Sequence, residues 1–192
     1  MVQLVGFSGA HGTGKSSVIE RIKEKNIPGI FVDDHKISRS VLSSMGLTLE
    51  QATATVDRTK EYQLNVLGAA RERIHLIVEE HQFGGTMVVD RTVADIAAYT
   101  RIWCERNRIE KKWLWPYVSN CASLLKHYGE IFVFPTGVFE FEDDGVRAKE
   151  DTQLLHEKYL LEFLDVHGFK YHVVQEKTVQ KRAEEIISIL KG

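Results

Sequence analysis

The sequence GAHGTGKS spans residues 9–16 and fits the phosphate-loop pattern G-x-x-x-x-G-K-[ST]. An apolar strand pattern precedes it over residues 3–8, and a helical pattern follows over about residues 15–25. Glycines let successive backbone N–H groups curl around an anion, and a helix N-terminus adds partial positive charge. We therefore predict that the loop binds a nucleoside triphosphate. The alternative is a glycine-rich turn with an accidental lysine.

Two side chains of this loop have specific expected roles. Lys15, expected to be exposed at the helix N-terminus, should reach the β- and γ-phosphates, and Ser16 should ligate Mg²⁺. We expect His11 to contribute its backbone while its ring points away from the phosphates. The expected nucleotide-binding residues are Gly9, His11, Gly12, Thr13, Gly14, Lys15, Ser16 and Ser17.

Strand and helix patterns alternate along the rest of the chain. Further apolar strand patterns occupy residues 30–32, 86–89, 131–134 and 171–174, and helical patterns occupy about 49–81 and 109–127. Thr92 and Asp95 resemble a capping box at the start of another helix. This alternation predicts an α/β fold, a parallel sheet covered on both faces by helices. At 192 residues, the chain is expected to be one domain, residues 1–192.

The composition restricts the partners that we expect. The formal net charge is -2, so no strong field favours nucleic acid, and no apolar run approaches the roughly 20 residues that cross a bilayer. Cys104 and Cys121 form no CxxC pair, and the histidines show no metal-ligand spacing. We expect a cytoplasmic protein that binds neither a membrane nor nucleic acid. The sequence leaves a homodimer open.

The third strand pattern ends in Asp90 and Arg91. A carboxylate here can hold Mg²⁺ or its water shell, and the adjacent guanidinium can bind a second anion or a sugar. A motor ATPase usually ends this strand with Asp-Glu, and a GTPase carries an N-K-x-D motif, which this sequence lacks. The pattern therefore favours a phosphotransferase over a switch or a motor.

Three segments, GAHGTGKS, VVDRTVADIAAY and DDGVR, make the chain similar to the small P-loop nucleoside and nucleotide kinases. This family includes phage-type deoxynucleoside monophosphate kinases and ribosylnicotinamide kinases, and the resemblance covers about residues 3–175. It implies ATP and Mg²⁺ as cofactors, a five-stranded parallel sheet with the first and third strands adjacent, and a helical lid at about residues 136–152. It also implies that Arg147 is the lid arginine that neutralises the moving phosphoryl group; the alternative is a solvated loop arginine.

The resemblance also suggests residues for the acceptor. Asp33 and Asp34 end the second strand pattern, and one of them, with Asp34 favoured, is expected to orient or deprotonate the acceptor. The alternative is an N-cap for the next helix, a role that one aspartate could take while the other serves the acceptor. Arg39 on that helix is a candidate substrate arginine or a solvated side chain. Gln63 lies on the stripe of Val56, Leu67, Ala70, Ile74 and Ile77 in the long helical pattern. It either reads the acceptor base, as a glutamine does in deoxynucleoside kinases, or is a core glutamine satisfied by backbone.

The segment from Arg101 to Trp115 mixes basic residues with three tryptophans. It either grips a nucleotide or a single strand, or forms an amphipathic helix pair with buried tryptophans. Taken together, the sequence predicts ATP-dependent phosphoryl transfer to a nucleoside or nucleotide, with a deoxynucleoside monophosphate favoured. The alternatives are a ribosylnicotinamide-type kinase, a nucleic-acid hydroxyl kinase and a regulatory ATPase module.

Overall fold

The computed structural model describes residues 2–80, 84–139 and 150–191, and within them five strands form one sheet. The strands are β1 (Gln3–Ser8), β2 (Ile30–Asp33), β3 (Thr86–Asp90), β4 (Tyr128–Val133) and β5 (His172–Val173). Their order is β2-β3-β1-β4-β5, and every pairing is parallel. The expected α/β fold, with its five-stranded sheet and with β1 beside β3, is confirmed.

The helices are α1 (Lys15–Glu24), α2 (Ile37–Met45), α3 (Leu49–Ala52), α4 (Val56–Glu80), α5 (Val93–Arg106), α6 (Lys111–Leu125), α7 (Glu150–Val166) and α8 (Val179–Lys191). The capping box at the start of α5 is confirmed, since Thr92 and Asp95 bond each other's backbone reciprocally. The single helical pattern expected over residues 49–81 is divided between α3 and α4. Thr48 and Gln51 form a second capping box, which fixes the start of the short helix α3.

Alternate residues of the buried strands face two separate hydrophobic cores. Val5 and Phe7 of β1 pack with α1 and α8, whereas Leu4 packs with the helices α4 to α7. Gly6 lies on the second face, where an added Cβ would come within 2.1 Å of Thr92 Cγ2. A side chain at position 6 would therefore push away the start of α5.

This layering positions the site. The helix that follows β1 covers one face of the sheet and the helix that follows β3 covers the other, although the two strands are neighbours. Such a point leaves a crevice outside the carboxyl ends of the strands, where ligands bind in α/β folds. The segments 9–16 and 90–91 both begin at this crevice.

Helix α4 is buried along most of the predicted stripe. Gln63, Leu67, Ala70, Ile74 and Ile77 are all less than 7% exposed, but Val56 is 38% exposed. In the first turn, Thr59 takes the inward position, and its hydroxyl donates to the Thr55 carbonyl. Among the described residues, no helix is long and apolar enough to cross a membrane.

Candidate active site

The loop between β1 and α1 has the backbone of a phosphate cradle. Gly9, Gly12 and Gly14 have φ values of 141°, 74° and 84°, which only glycine adopts readily. An added Cβ would come within 2.5 Å of the Phe134 carbonyl oxygen at Gly9, and within 2.6 Å of the Phe139 ring at Gly14. The glycines are therefore required both by the curl of the loop and by the close packing behind it.

Lys15 is buried, contrary to the expectation of an exposed side chain. Its Nζ donates to the carbonyl oxygens of Gly9 (2.7 Å) and Ala10 (2.5 Å) and to Thr13 Oγ1 (3.0 Å). Burial, followed by the nearby Arg91 guanidinium, lowers the pKa of Lys15 to about 7. The side chain folds back because the carbonyl groups of the curled loop are the acceptors within its reach. Its predicted contact with the phosphates requires it to turn outward.

Ser16 and Asp90, the two predicted Mg²⁺ ligands, lie on either side of one ammonium group. Lys36, the N-cap residue of α2, pairs with the Asp90 carboxylate through Nζ, which also lies 3.4 Å from Ser16 Oγ. Asp90 is 6% exposed, and its Oδ1 is buried without a hydrogen-bond partner in the described part of the chain. Oxygen ligands around a buried, incompletely paired carboxylate fit a hard cation such as Mg²⁺.

Arg91 is held against the loop in an unusual backbone conformation, with φ of 72°. Its Nη1 donates to the Gly9 carbonyl (3.2 Å) and lies 3.6 Å from Asp95 Oδ1, and its guanidinium lies over the Tyr99 ring. Non-glycine residues with positive φ cluster at functional sites. This places a predicted site cation at the mouth of the phosphate cradle.

Asp95 links the loop to the surrounding helices, a role that sequence reasoning missed. Its Oδ1 accepts from the backbone N–H of Gly9 (2.9 Å), and its Oδ2 accepts from that of Thr92 (2.8 Å). The buried His156 of α7 lies 3.3 Å from Oδ1. Burial alone would raise the pKa of Asp95, but His156, Arg91 and Lys15 together hold it well below its ordinary value. The capping-box spacing signalled the bond to Thr92 and gave no sign of the others.

Neither predicted acceptor carboxylate lies among the residues that line the site cavity. Asp33 pairs with Arg73 of α4, and Asp34 pairs with Lys23 of α1 at 2.8 Å. The Asp34 side chain is 49% exposed, and its hydrogen bond from Lys23 lowers its pKa. Asp33 ends the β2 edge strand as expected and Asp34 comes directly after it, but both carboxylates are already paired with a cation. The expected N-cap role is wrong for both, because the N-cap residue of α2 is Lys36. The acceptor role of Asp34 stays a prediction.

Arg39 and Gln63 do line the cavity, which has a volume of about 930 Å³ and extends from the phosphate loop to α4. Arg39 makes no ion pair with any residue in the described ranges. Gln63 is 3% exposed, and its Oε1 accepts from Thr100 Oγ1 at 2.8 Å. The partner of the amide oxygen is thus a side-chain hydroxyl rather than the backbone of the core alternative. The cavity brings both predicted acceptor residues to the same space as the loop.

The basic and aromatic segment is mostly an amphipathic helix pair. Arg101 pairs with Glu105 and Glu162 and lies over the Tyr159 ring. Trp103, which lines the cavity, and Trp113 are half-buried, and Trp115 is 61% exposed, so the expectation of buried tryptophans is wrong. The reason is that Leu114 and Tyr117 take the inward positions of this stretch of α6.

Two more helices hold the loop from outside the motif. Gln153 of α7 donates to the His11 carbonyl (2.7 Å), and Arg182 of α8 donates to the Thr13 carbonyl (2.7 Å). Both residues are far from the loop in sequence, so no local sequence pattern indicates either contact. Arg147 and most of the predicted lid lie outside the described residues, so the lid stays a prediction.

Comparisons with known proteins agree with this fold. A family model described as an AAA domain matches residues 4–182, and no curated protein sequence matches significantly. Deoxyadenosine kinase from M. mycoides with bound dATP has a TM-score of 0.70 at 15% identity, covering 99% of this chain and 100% of that chain. For thymidylate kinase from Candida albicans the TM-score is 0.64 at 15% identity, with coverages of 98% and 91%.

A NadR protein in complex with NR has a TM-score of 0.70 at 14% identity, and the match covers 99% of this chain and 49% of that one. At such identities, the likeness concerns the fold. The family match, by contrast, spans nearly the whole chain and includes the phosphate loop. The chain therefore belongs to the AAA domain family, and it has the P-loop fold seen in deoxyadenosine and thymidylate kinases.

Proposed function

We propose that this protein is an ATP- and Mg²⁺-dependent kinase of a nucleoside or nucleotide, with a deoxynucleoside monophosphate as the favoured acceptor. The observation that carries the proposal is the single cavity that joins the phosphate loop to Arg39 and Gln63. Such a space accommodates a phosphoryl donor at one end and an acceptor at the other. Phosphoryl transfer depends chiefly on this kind of positioning and on charge stabilisation.

On the donor side, backbone N–H groups of the loop bind the β- and γ-phosphates, and Lys15 exchanges its carbonyl partners for phosphate oxygens. Ser16 and Asp90 would hold Mg²⁺, which supplies positive charge to the phosphates. Arg91, fixed beside Gly9 by its hydrogen bond, adds charge where the phosphoryl group moves. Arg147 is the proposed lid residue that completes this set.

On the acceptor side, the pairing of charges favours an anionic acceptor. A hydroxyl acceptor needs a base, and Asp33, Asp34 and Asp90 are each paired with a basic side chain. A monophosphate oxygen is already anionic and needs a cation instead, which Arg39 supplies, since no described residue forms an ion pair with it. Gln63 is proposed to bind the base edge, since its amide lies in the same cavity.

A nucleoside acceptor is the second candidate. The similarity to the NadR protein in complex with NR favours it, and a ribosylnicotinamide-type hydroxyl would then have to recruit Asp34 or Asp90 from its present ion pair. A nucleic-acid hydroxyl is less favoured because the chain has a net charge of -2. The candidate of another class is a regulatory nucleotide-binding module.

Thermal stability tests the proposal through ligand binding alone. We expect the melting temperature to rise with Mg²⁺ and a non-hydrolysable ATP analogue, and to rise further with one deoxynucleoside monophosphate of a full panel. A further rise with nucleosides alone would favour the second candidate. A response to the ATP analogue with no additional effect from any nucleoside, monophosphate or oligonucleotide would favour the regulatory module.

A further inference from the structure

One ammonium group links the two side chains to which we assign Mg²⁺. Lys36 Nζ pairs with the Asp90 carboxylate and lies 3.4 Å from Ser16 Oγ. A divalent cation held by these oxygens would need the position that the ammonium takes. The lysine and the metal therefore compete for the same site.

We propose that Lys36 is an internal counter-ion that holds the metal site in the absence of nucleotide and then serves the anionic acceptor. This inference rests on the proposed kinase function and adds a coupling between its two substrates. Lys36 leaves Asp90 when a metal–nucleotide complex binds, and its charge becomes available to the acceptor phosphate. Donor binding thereby strengthens acceptor binding.

The holding role follows from the burial of Asp90. The Asp90 side chain is 4% exposed, and its Oδ1 has no hydrogen-bond partner in the ranges that the structure describes. A buried carboxylate without a counter-charge is strongly destabilising. Lys36 supplies that counter-charge from a neighbouring helix and keeps Ser16 and Asp90 facing each other.

The releasing role follows from how lightly Lys36 is held. The Lys36 side chain is 39% exposed. Its ammonium contacts Asp90 and Ser16, and among the described residues no second carboxylate pairs with it. A lysine has a flexible stem and a compact charge, so its ammonium can change partners without a backbone movement. An incoming divalent cation replaces the charge of Lys36 beside the buried Asp90 carboxylate, so the exchange does not leave that carboxylate without a counter-charge.

The position of Lys36 at the start of α2 indicates where its ammonium group goes when it leaves Asp90. Lys36, Ile37, Ser38 and Arg39 all line the cavity that contains Gln63. Lys36 is the N-cap residue of α2 and Arg39 lies in the first turn of that helix, so the two side chains leave neighbouring points of the chain on the wall of one cavity. A released Lys36 would join Arg39 as a second cation for an acceptor phosphate.

The test compares Lys36→Met with two controls. Lys36→Arg keeps a cation at this position, and Lys25→Met removes a lysine at the C-terminal end of α1 that lies 3.9 Å from Glu184 and is not among the residues lining the cavity. Calorimetry first measures Mn²⁺ affinity in the presence of AMP-PNP. It then measures the affinity of the four common deoxynucleoside monophosphates with and without Mn²⁺ and AMP-PNP.

Competition predicts that Lys36→Met binds Mn²⁺ roughly two- to fivefold more tightly than the wild type, the range that a partly exposed ion pair supplies. Coupling predicts that Mn²⁺ with AMP-PNP strengthens monophosphate binding about fivefold or more in the wild type. Lys36→Met should lose this increase, and Lys25→Met should keep it. Lys36→Arg should stay near the wild type in Mn²⁺ affinity.

Unchanged or weaker Mn²⁺ binding by Lys36→Met would overturn the competition. Tighter Mn²⁺ binding with an undiminished increase in monophosphate affinity would overturn the transfer of Lys36 to the acceptor. Should Lys36→Met fail to fold, Lys36→Gln takes its place against Lys36→Arg. A wild type that binds no metal–nucleotide complex would refute the proposed function itself, which distinguishes the two failures.

Discussion

Gln63→Ala separates a base-reading glutamine from a core glutamine. Gln63 lines the cavity and is almost wholly buried, with its amide oxygen bonded to Thr100. Removing the amide leaves part of the acceptor base edge unpaired in a closed pocket, at a cost of about 1–3 kcal/mol. We therefore expect acceptor kcat/KM to fall about ten- to a hundredfold. ATP affinity should hardly change, because the phosphate loop is built from other elements.

Thr100→Val is the matched control. It removes the hydroxyl whose single proton is shared between Gln63 Oε1 and the Ile96 carbonyl oxygen, and it leaves the amide in place. We expect it to lower the free energy of unfolding by about 1 kcal/mol and to preserve the order of base preference. Steady-state kinetics over the four deoxynucleoside monophosphates, together with urea denaturation, measure both quantities on each variant.

The base-reading role makes one outcome decisive. Base preference should relax in Gln63→Ala and persist in Thr100→Val. If Gln63→Ala instead loses stability while base preference and acceptor kcat/KM stay at wild-type values, Gln63 is a core residue and the reasoning is refuted.

Three further predictions concern the phosphate loop. Lys15→Ala should lower kcat by about 10²–10³-fold while the circular dichroism spectrum stays native, because charge at the transferring phosphoryl group is lost; wild-type turnover at saturating ATP would contradict this role. Burial lowers the pKa of Lys15 to about 7 from 10.5, so between these values the unfolded chain binds more protons at this residue than the folded chain does. The nucleotide-free wild type should therefore gain stability relative to Lys15→Met as pH rises from 7 to 10, measured as the difference in melting temperature; a constant difference would contradict the low pKa. Asp95→Asn replaces one oxygen that accepts a backbone N–H and should lower the free energy of unfolding by about 1–3 kcal/mol; urea denaturation measures it, and an unchanged midpoint would show that the buried carboxylate is dispensable.

Local patterns were enough to predict the fold and the phosphate loop. The loop is specified by glycines that must adopt positive φ, and its flanking strand and helix are adjacent in sequence. The parallel sheet follows from alternating strand and helix patterns, and the capping box of Thr92 and Asp95 is a contact over three residues.

The charge network could not be predicted, because it depends on tertiary contacts. Lys36 meets Asp90 across 54 residues of sequence, and Asp95 meets His156 between two helices. Lys15 is buried because it bonds the carbonyl groups of its own curled loop, and Asp34 pairs with Lys23 of α1 instead of facing the cavity. A motif identifies residue types, but it does not show which opposite charge each one meets.

The central claim is transfer of the γ-phosphoryl group of ATP to a nucleotide acceptor, and product identification tests it most directly. Purified protein is incubated with Mg²⁺ and ATP and with each nucleoside, deoxynucleoside monophosphate and oligonucleotide of a panel. Mass spectrometry then records ADP and any phosphorylated acceptor, with Lys15→Ala as the matched control. We predict equal amounts of ADP and a deoxynucleoside diphosphate with one preferred monophosphate, and about a hundredfold less product or lower from the variant. The claim would be contradicted if ADP formed at the same rate whether or not an acceptor was present and no acceptor of the panel was phosphorylated.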